Sequence, residues 1–547
     1  MILYVGASLA LLAGVNGVRN TQPNLQARSL DNHKFARQLP ANATGLKTIT
    51  TPQNVTIRYK EPGKEGVCET TPGVNSYSGY IDLDENSHTF FWFFEARNNP
   101  KEAPITLWLN GGPGSDSLIG LFEELGPCNI TANLTTQVNP YSWTEVSNML
   151  FLSQPLGVGF SYGSEGEGSL DLAGTYQNSS INGVQGRYPV INASALDTTD
   201  LSAAAAWHVL QGFLGGLPQL DSNITSKEFN LWTESYGGHY GPAFFNYFYE
   251  QNEMIANGSS QGIQLNFNTL GVINGIIDEY TQAPYNMIFG CLDQITMCRA
   301  TNLTTLSDQA ICTEAENMCR DNVEGPYYYY SGRGVYDIRH PADDPTPPSY
   351  YVDYLNLDST RNALGVNLNY SQSNDEVYYA FQQTGDFVYP NFIEDLEMLL
   401  NNSVRVSLIY GDADYICNWF GGQAVSLSVN YTHKAEFAAA GYAPFMVDGT
   451  EYGEVRQRGN FSFTRVYEAG HEVPYYQPVA SLELFRRTLL GLDLADGDLK
   501  ISANYSSTGT ANSTHTESFV ALPSMTSSQA SGTSTWSSTA APQVIEW

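Results

Sequence analysis

The sequence predicts an α/β fold with a mainly parallel central sheet, flanked by helices and carrying an inserted cap. Three observations lead to this prediction. Short apolar segments of strand length recur along the chain, at 105–109, 229–232, 270–277 and 404–410. An Ala-rich segment of helical character, 200–213, precedes the second of them. Glycine-rich turns follow the first two segments, and strands that alternate with helices favour a parallel sheet.

The sheet is expected to begin with a hairpin. Residues 78–83 and 89–95 are predicted strands on either side of the turn 84–86, and the second strand holds a buried aromatic run. The alternating pattern stops between residues 279 and 390, which contain four cysteines and a Pro-rich stretch at 341–348. We interpret 279–390 as a cap inserted over the carboxyl-terminal edge of the sheet.

Length and composition define the domain organisation. With 547 residues and 42% hydrophobic content, the chain can form one large α/β domain, predicted at 51–501. Residues 1–17 form a short apolar run typical of a signal peptide, although no basic residue precedes it. Residues 18–50 are interpreted as a propeptide or a loose arm, and the Ser/Thr-rich stretch 502–547 as a disordered tail.

Charge and glycosylation sequons indicate an exported protein. The net charge of −31 argues against nucleic acid and anionic membranes as partners, because both repel such a surface. No transmembrane anchor is expected. We expect N-linked glycans and a secreted, extracellular location, with the vacuole as the alternative. The sequons include Asn42, Asn54, Asn129, Asn192, Asn223, Asn302, Asn369, Asn430 and Asn460.

Seven cysteines in an exported chain suggest three disulfides and one remaining thiol. Four of them lie between residues 291 and 319 as two couples, each with members seven positions apart, so each couple can lie on one helix face. The spacing is not that of a zinc site and no histidine lies nearby, so no metal is expected here. The predicted bridges, which leave Cys417 over, are Cys291–Cys319, Cys298–Cys312 and Cys68–Cys128.

Residues 231–240 contain the strongest catalytic signal. Ser235 follows an apolar strand segment and precedes Gly237 and Gly238, as in the strand-turn-helix elbow that exposes a nucleophilic serine. Thr233 stands where the first glycine of the G-x-S-x-G pattern is expected. Taken alone, the segment is also compatible with an ordinary strand-to-helix turn.

A nucleophilic serine needs a base and an orienting carboxylate. Asp414 lies just past the predicted strand 404–410, and His471 lies in a loop before a predicted helix. Each of them alone is also compatible with a loop residue, and Asp412 is a second acid in the same turn. The order serine, aspartate, histidine is that of α/β-hydrolases, and this order together with the strand-end positions favours a catalytic triad.

Seven blocks of the sequence resemble those of serine carboxypeptidases of the fungal secreted type, over about residues 62–490. In chain order the blocks are WLNGGPG at 108–114, GLFEELGP at 120–127, NPYSW at 139–143, QPLGVGFS at 154–161, ESYGGHY at 234–240, GDADYICNW at 411–419 and AGH at 469–471. The resemblance implies the α/β-hydrolase fold and the release of single residues from peptide C-termini.

The resemblance also implies roles for individual residues. Ser235 corresponds to the nucleophile, His471 to the base and Asp414 to the orienting acid. The backbone amides of Gly112 and Tyr236 correspond to the oxyanion hole, which donates to the charge that develops in the transition state.

A further set corresponds to the family's clamp for the terminal carboxylate of the substrate, and its members are Asn110, Gly111, Glu124 and Glu234. Two glutamates brought close together cannot both ionise easily, so the pair retains a proton and can donate a hydrogen bond to a carboxylate. Activity is therefore expected to be strongest at acid pH. The adjacent Glu123 is interpreted as a solvated charge on a helix face.

Three residues depart from the family pattern. Ser115 stands where the family has a cysteine, so the disulfide that usually holds this turn is absent. Asp116 is expected to add negative charge near the clamp, and Thr233 to crowd the neighbouring strand. Cys417, three residues past Asp414, is expected near the site, with a buried structural cysteine as the alternative.

The sequence thus predicts a secreted serine carboxypeptidase that acts on the C-termini of peptides and proteins without a metal or cofactor. An esterase or acyltransferase on the same fold is one alternative, although neither needs a clamp for a terminal carboxylate. A catalytically inactive, cell-wall-associated protein is another, although the triad residues are intact.

Overall fold

The structure is a computed structural model of the chain. It describes residues 39–170, 175–178, 185–286, 291–301, 305–320, 325–344, 346–389, 391–517 and 520–521. The predicted signal peptide 1–17, residues 18–38 of the predicted arm and residues 522–547 of the predicted tail lie outside the described residues. Within the described part, no helix has the length and apolar character needed to cross a membrane.

Seventeen strands lie in the described residues and are numbered here in chain order. They are β1 Lys47–Thr50, β2 Thr56–Lys60, β3 Ser76–Asp84, β4 Ser87–Phe94, β5 Ile105–Leu109, β6 Cys128–Ile130, β7 Thr136–Val138, β8 Asn148–Leu152, β9 Ser164–Leu170, β10 Tyr176–Gln177, β11 Gly186–Val190, β12 Glu228–Glu234, β13 Asn266–Ile273, β14 Arg405–Gly411, β15 Ala443–Val447, β16 Thr450–Arg458 and β17 Phe461–Val466.

A twelve-stranded sheet forms the centre of the molecule, in the order β1-β2-β3-β4-β8-β5-β12-β13-β14-β17-β16-β15. The six strands from β8 to β17 in this order are parallel, and the strands on both sides of them pair antiparallel. The predicted α/β class is confirmed, with the parallel part as the middle of a mixed sheet. Because parallel strands end at one edge, the residues that follow β5, β12, β13, β14 and β17 are brought together there.

Fourteen α-helices lie in the described residues: α1 Thr199–Leu220, α2 Gly237–Ala256, α3 Glu279–Gln282, α4 Leu292–Arg299, α5 Leu306–Cys319, α6 Gly325–Tyr330, α7 Tyr350–Leu355, α8 Asp358–Leu364, α9 Asp375–Thr384, α10 Phe392–Asn401, α11 Trp419–Ser428, α12 Lys434–Ala439, α13 Val473–Tyr476 and α14 Pro478–Leu490. Short helical turns occur at Pro62–Glu65, Gly120–Glu124, Trp143–Glu145, Ala193–Ala195 and Ala283–Asn286.

Helices cover both faces of the sheet, so its central strands are buried on both sides. Along β12, Leu231 packs into a core with α1 and α2, whereas the next residue, Trp232, packs into a second core with Phe485 of α14. A strand that is buried on both faces loses the alternation of polar and apolar residues. This is why 229–232 is an unbroken apolar run in the sequence.

The ends of the domain differ from the sequence prediction. Residues 47–50 of the predicted arm form β1, which pairs with β2 at the edge of the sheet. Residues 502–517 of the predicted disordered tail lie along the other edge, where Ser506 pairs with Arg458 and Thr510 with Tyr442. The guanidinium of Arg465 also donates to Ser513 Oγ at 2.7 Å. Backbone pairing and arginine contacts hold a segment whose composition alone suggested disorder.

The predicted cap is an insertion between β13 and β14, and it contains the helical hairpin of α4 and α5. The disulfides Cys68–Cys128 and Cys298–Cys312 are present. The third predicted bridge is wrong, because Cys291 and Cys319 are buried as thiols. Spacing two helical turns apart places each couple on one helix face, but a disulfide also requires its two Cβ atoms within about 4.5 Å.

Candidate active site

Ser235 occupies the turn between β12 and α2. Its φ of 63° lies in the left-handed region, which is uncommon for residues other than glycine and is found at functional sites. The amides of Gly238 and Ile276 donate to its carbonyl oxygen at 2.8 and 2.9 Å. The structure therefore has Ser235 on a strand-turn-helix elbow at the carboxyl edge of the sheet.

Thr233 fits into this elbow because glycines face it. A Cβ atom on Gly237 would lie 2.6 Å from Cβ of Thr233, and one on Gly241 would lie 2.8 Å from its Oγ1. The Thr233 hydroxyl donates to the carbonyl of Gly237 at 2.7 Å. The strand thus carries the side chain that the first turn of the helix lacks, and the expected crowding does not occur.

The amides of Gly112 and Tyr236 lie on the two loops that meet at the elbow. A Cβ atom on Gly111 would lie 2.3 Å from the backbone nitrogen of Tyr236, so only glycine allows this approach. Gly112 has a φ of 107°, which also favours glycine. Among the described residues neither amide donates to a protein acceptor. Both are therefore available to a substrate oxygen.

His471 and Asp414 form a buried hydrogen-bonded pair. Nδ1 of His471 lies 2.7 Å from Oδ2 of Asp414. Burial lowers the pKa of His471, but the charge and hydrogen bond of Asp414, with Glu472 and Glu124, outweigh it, so the pKa is raised overall. His471 and Ser235 line the same open cavity. The predicted base, acid and nucleophile are brought together at one edge of the sheet.

Asn274 is a site residue that the sequence analysis missed. Its Nδ2 donates to Oδ2 of Asp414 at 2.7 Å, and its Oδ1 accepts from the amide of Gly411 at 3.0 Å. The amide of Ile416 donates to Oδ1 of Asp414 at 3.1 Å. The signal in the sequence was a polar residue inside the predicted apolar segment 270–277. In the structure β13 ends at Ile273, so Asn274 is the first residue past the strand, at the same edge of the sheet as Asp414.

Asn110 is fixed beside Glu234. Its Oδ1 accepts from Nε1 of Trp108 at 2.8 Å and from the amide of Gly120 at 2.9 Å. These two donors determine the orientation of the amide, so Nδ2 donates to Oε1 of Glu234 at 3.0 Å. The predicted clamp residue Asn110 is therefore held in one rotamer next to Ser235.

Glu124 ends the single π-helical turn Gly120–Glu124 and lies next to Glu234, with both side chains buried. Burial raises the pKa of Glu124 to about 7. Burial and the negative charge of Glu124 raise the pKa of Glu234 well above its usual range. Burial and the closeness of the two groups therefore favour protonated carboxyl groups here at acid pH.

Glu123 is not a solvated charge. It is buried, and together with Glu472 it lines the active-site cavity on the clamp side. The expectation fails because residues 120–124 form a buried turn and not a surface helix. After burial, the negative charge of Glu472 also raises the pKa of Glu124.

Asp116 lies behind the clamp in a buried group of hydroxyl side chains. Burial raises its pKa to about 7. Its charge raises the pKa of Tyr370, whereas the charges that raise the pKa of Glu234 come from Glu124, Glu472 and Asp414. Asp116 is thus a buried neighbour of the loop and not a principal modifier of the clamp.

Cys417 lies beside His471 and Asp414. Its Sγ, a nitrogen of His471 and a carboxylate oxygen of Asp414 all lie within 4.8 Å of one another. Cys417 is 1% exposed. These three residue types can bind a metal, but His471 and Asp414 already bind each other directly. Asp412, His515 and Glu517 form a second such group. There the cationic Arg465 already pairs with Asp412, with Nη2 of the arginine 3.4 Å from Oδ2 of the aspartate.

Comparisons with known proteins agree with this geometry. The sequence model of the family described as serine carboxypeptidase matches residues 62–491. Carboxypeptidase S1 homolog A of Arthroderma otae is 39% identical, and the match covers 88% of this chain and 83% of that protein. Carboxypeptidase S1 of Penicillium janthinellum is 38% identical over 78% of this chain and 97% of that protein.

Two further relatives come from Saccharomyces cerevisiae. The vacuolar serine-type carboxypeptidase ATG42 is 34% identical over 89% of this chain and 91% of that protein. Among solved structures, the prohormone-processing carboxypeptidase Kex1 superposes with a TM-score of 0.59 at 20% identity, covering 78% of this chain and 94% of that chain. This likeness confirms the predicted fold.

Proposed function

The chain belongs to the serine carboxypeptidase family, and we propose that it hydrolyses the C-terminal peptide bond of peptides and proteins through Ser235, His471 and Asp414. The observation that carries the proposal is the buried pair of Glu124 and Glu234 next to the elbow serine. A hydrolase of neutral esters has no use for such a pair, because its substrates carry no terminal carboxylate.

Ser235 attacks the carbonyl carbon of the last peptide bond while His471 accepts its proton. The oxygen of the tetrahedral intermediate accepts hydrogen bonds from the amides of Gly112 and Tyr236. His471 then gives the proton to the nitrogen of the leaving amino acid, and a water molecule hydrolyses the acyl-serine by the same steps. Asp414 holds the ring and stabilises its charged form.

The clamp selects free C-termini. A protonated glutamic acid donates a hydrogen bond to the terminal carboxylate, and Nδ2 of Asn110 adds a second donor. When Glu124 and Glu234 lose their protons, they repel the same carboxylate. Peptide binding is therefore expected to weaken as the pH rises through about 7, the pKa of Glu124.

The base sets the opposite limit. His471 can accept the proton of Ser235 only while its ring is neutral. Because the pKa of His471 is raised, activity should fall as the pH drops below this raised pKa. A peptide with a free C-terminus should thus give a bell-shaped profile. The matching C-terminal amide does not need the clamp, so its profile should show only the rise that follows deprotonation of His471.

Two measurements test the proposal. A fluorophosphonate should label Ser235 covalently, and Ser235→Ala should not be labelled. Hydrolysis of a blocked dipeptide and of its amide is then compared across pH. Labelling without dipeptide hydrolysis would favour the esterase or acyltransferase alternative, and absence of labelling would favour an inactive protein. Identical pH profiles for acid and amide would refute the clamp.

We further infer an exported glycoprotein, secreted or vacuolar. In six of the nine sequons named above the asparagine is exposed, namely Asn42, Asn54, Asn129, Asn192, Asn223 and Asn430. Asn369 is buried, and its Oδ1 accepts from the amide of Arg187 at 2.8 Å. Mass spectrometry of peptides should find glycans at exposed sequons but not at Asn369. A wholly unglycosylated protein from its natural source would contradict the inference.

A further inference from the structure

We propose that Asp386, near the end of the inserted cap, is a positioning residue for the oxyanion hole, because it holds the side chain of Tyr236. The backbone amide of Tyr236 is one of the two oxyanion donors in the proposed function, so the inference rests on that function and adds a residue to it. Asp386 follows Gly385 at the end of α9 and is not among the described residues that line the active-site cavity. It therefore acts through Tyr236 and does not touch the substrate.

Three donors surround the buried carboxyl group of Asp386. The phenol of Tyr236 and the hydroxyl of Thr199 both donate to Oδ2, and the backbone amide of Thr199 donates to Oδ1 at 3.0 Å. Thr199 is the first residue of α1, whose positive end favours a negative charge at this place. Burial raises the pKa of Asp386, while the bonds from Thr199 and Tyr236 oppose the shift. Asp386 thus connects the cap to the start of α1 and to the residue after the nucleophile.

The hydrogen bond to Asp386 fixes a ring that is otherwise held by apolar contacts. Tyr236 is fully buried, and its ring packs against His239 and Phe387 with centroids 4.4 and 4.5 Å apart. Apolar contacts have little directional preference, whereas a hydrogen bond depends steeply on distance and angle. The bond to Asp386 therefore sets where the far end of the Tyr236 side chain lies, and with it the direction of the Cα–Cβ bond.

The peptide group between Ser235 and Tyr236 carries the oxyanion donor. This group is planar, so its N–H and its carbonyl oxygen point in opposite directions. The carbonyl oxygen accepts from the amides of Gly238 and Ile276, which hold one side of the plane. The Cα atom of Tyr236 is the corner on the other side, and Asp386 holds it through the side chain. An oxyanion donor acts at about 2.7–3.1 Å from the developing charge, so a small tilt of the plane is enough to weaken it.

The next cap residue makes a second contact with the helix that follows the elbow. The carbonyl oxygen of Phe387 lies 3.1 Å from Nε2 of His239, and that of Ile276 lies 2.6 Å from Nδ1. Burial lowers the pKa of His239 to about 4, so its ring is neutral in mildly acidic solution and can donate to only one of the two carbonyls. The three partners of Asp386 are all donors, so its bond to Tyr236 has no such competition.

Asp386 also has a structural role, which the test must separate from positioning. Its bond to the amide of Thr199 satisfies a donor at the start of α1, so removing the carboxyl group lowers stability in any case. Tyr236→Phe removes only the phenol hydroxyl and leaves Asp386 bound to Thr199. A loss of rate in this variant therefore reports on the bond between Asp386 and Tyr236.

The test measures kcat and KM for a blocked dipeptide, together with the rate at which a fluorophosphonate labels Ser235. The phosphoryl oxygen of the label uses the oxyanion hole, but the label needs no terminal carboxylate. Tyr236→Phe should lower kcat and the labelling rate roughly tenfold with KM nearly unchanged. In an Asp386→Ala background the same change should have almost no further effect. Asp386→Asn, which keeps an acceptor oxygen, should retain part of the rate.

The matched control is Asp395→Asn. Asp395 is also a buried aspartate that binds α2, where it accepts from Nδ2 of Asn246. This contact lies about three helical turns past the elbow, too far to position the amide of Tyr236. The control should lower the melting temperature and leave both rates unchanged.

Unchanged kcat and labelling rate in Tyr236→Phe would overturn the inference and leave the proposed function standing. Equal losses from Tyr236→Phe in the wild-type and Asp386→Ala backgrounds would also overturn it, because the two residues would then act independently. If Asp386→Ala does not fold, the Asp386→Asn background serves for the same comparison. If the wild-type protein is labelled but does not hydrolyse the dipeptide, the proposed function falls and the labelling rates alone decide the inference. A wild-type protein that is not labelled would refute both.

Discussion

Ser115 and Ser373 face each other across a short antiparallel bridge between the oxyanion loop and the segment before α9. The amide of Asp116 donates to the carbonyl of Gln372, and the amide of Asn374 donates to that of Gly114, each at 2.9 Å. The two serines are therefore the non-hydrogen-bonded pair, with Cα atoms about 4.5 Å apart. This distance suits a disulfide.

Replacing both residues, Ser115→Cys with Ser373→Cys, should create a disulfide at the turn where Ser115 stands in place of the family's cysteine. We expect a disulfide to form in air and to raise the free energy of unfolding by about 2 kcal/mol. Denaturant unfolding with and without reductant measures this, and each single variant is the control. A double variant that remains reduced after oxidation would show that the two serines are held too far apart.

The elbow should show coupling between Thr233 and Gly237. Gly237→Ala should cost about 2 kcal/mol of stability, because its Cβ would overlap that of Thr233. In a Thr233→Gly background the same change should cost at least about 1 kcal/mol less. Unfolding midpoints of the four proteins give the coupling energy. Equal costs in both backgrounds would mean that Thr233 does not fill the space of the missing side chain.

Asn274 should act as a positioning residue for the acid. Asn274→Ala removes a donor to Asp414 and leaves the amide of Gly411 without its acceptor. We expect kcat to fall roughly tenfold with KM nearly unchanged. The exposed Asn402→Ala is the matched control. Unchanged kcat together with a lower melting temperature would assign Asn274 a structural role only.

Glu124→Gln should change the alkaline side of the pH profile. Above about pH 7 Glu124 becomes negatively charged in the wild type, whereas the variant keeps a neutral amide at this position. KM for a blocked dipeptide should therefore rise less steeply with pH in the variant. Glu123→Gln, the neighbouring glutamate of the cavity, should follow the wild-type slope. Parallel profiles for all three proteins would exclude Glu124 from the clamp.

The segment 502–517 should contribute to stability. Arg465 and Glu454 bind Ser513, and the backbone of 506–510 pairs with the sheet edge. A chain ending at residue 521 should unfold like the full chain, whereas one ending at 504 should lose about 2 kcal/mol or more. Calorimetry of the two truncated proteins tests this. Equal melting temperatures would show that the segment is dispensable.

Sequence patterns predicted the parts of this site that depend on local order. The elbow at Ser235 and the loop at 110–114 follow from glycines at fixed positions next to apolar strands. The candidate base His471 and the candidate acid Asp414 follow from their positions after strands. These features are encoded within a few residues, so one sequence is enough to find them.

The missed features depend on partners far away in the chain. Asn274 was hidden inside an apolar segment because the end of β13 is set by its pairing with neighbouring strands. Glu123 resembles a helix surface residue until the tight turn at 120–124 buries it. Cys291 and Cys319 have a sequence spacing that suits a bridge, but the distance between the two side chains depends on how the two helices pack. Asp386 meets Tyr236 only because the end of the cap packs against the starts of α1 and α2.

The insertion of the cap between β13 and β14 separates two kinds of variation. The strands on either side of it supply Asn274 and Asp414, which are fixed by sheet hydrogen bonds. The residues between them supply part of the cavity wall, including Tyr336, Gln372 and Tyr378. Substitutions within this one continuous insertion can therefore change the substrate preference, while the residues at the strand ends and the reaction stay the same.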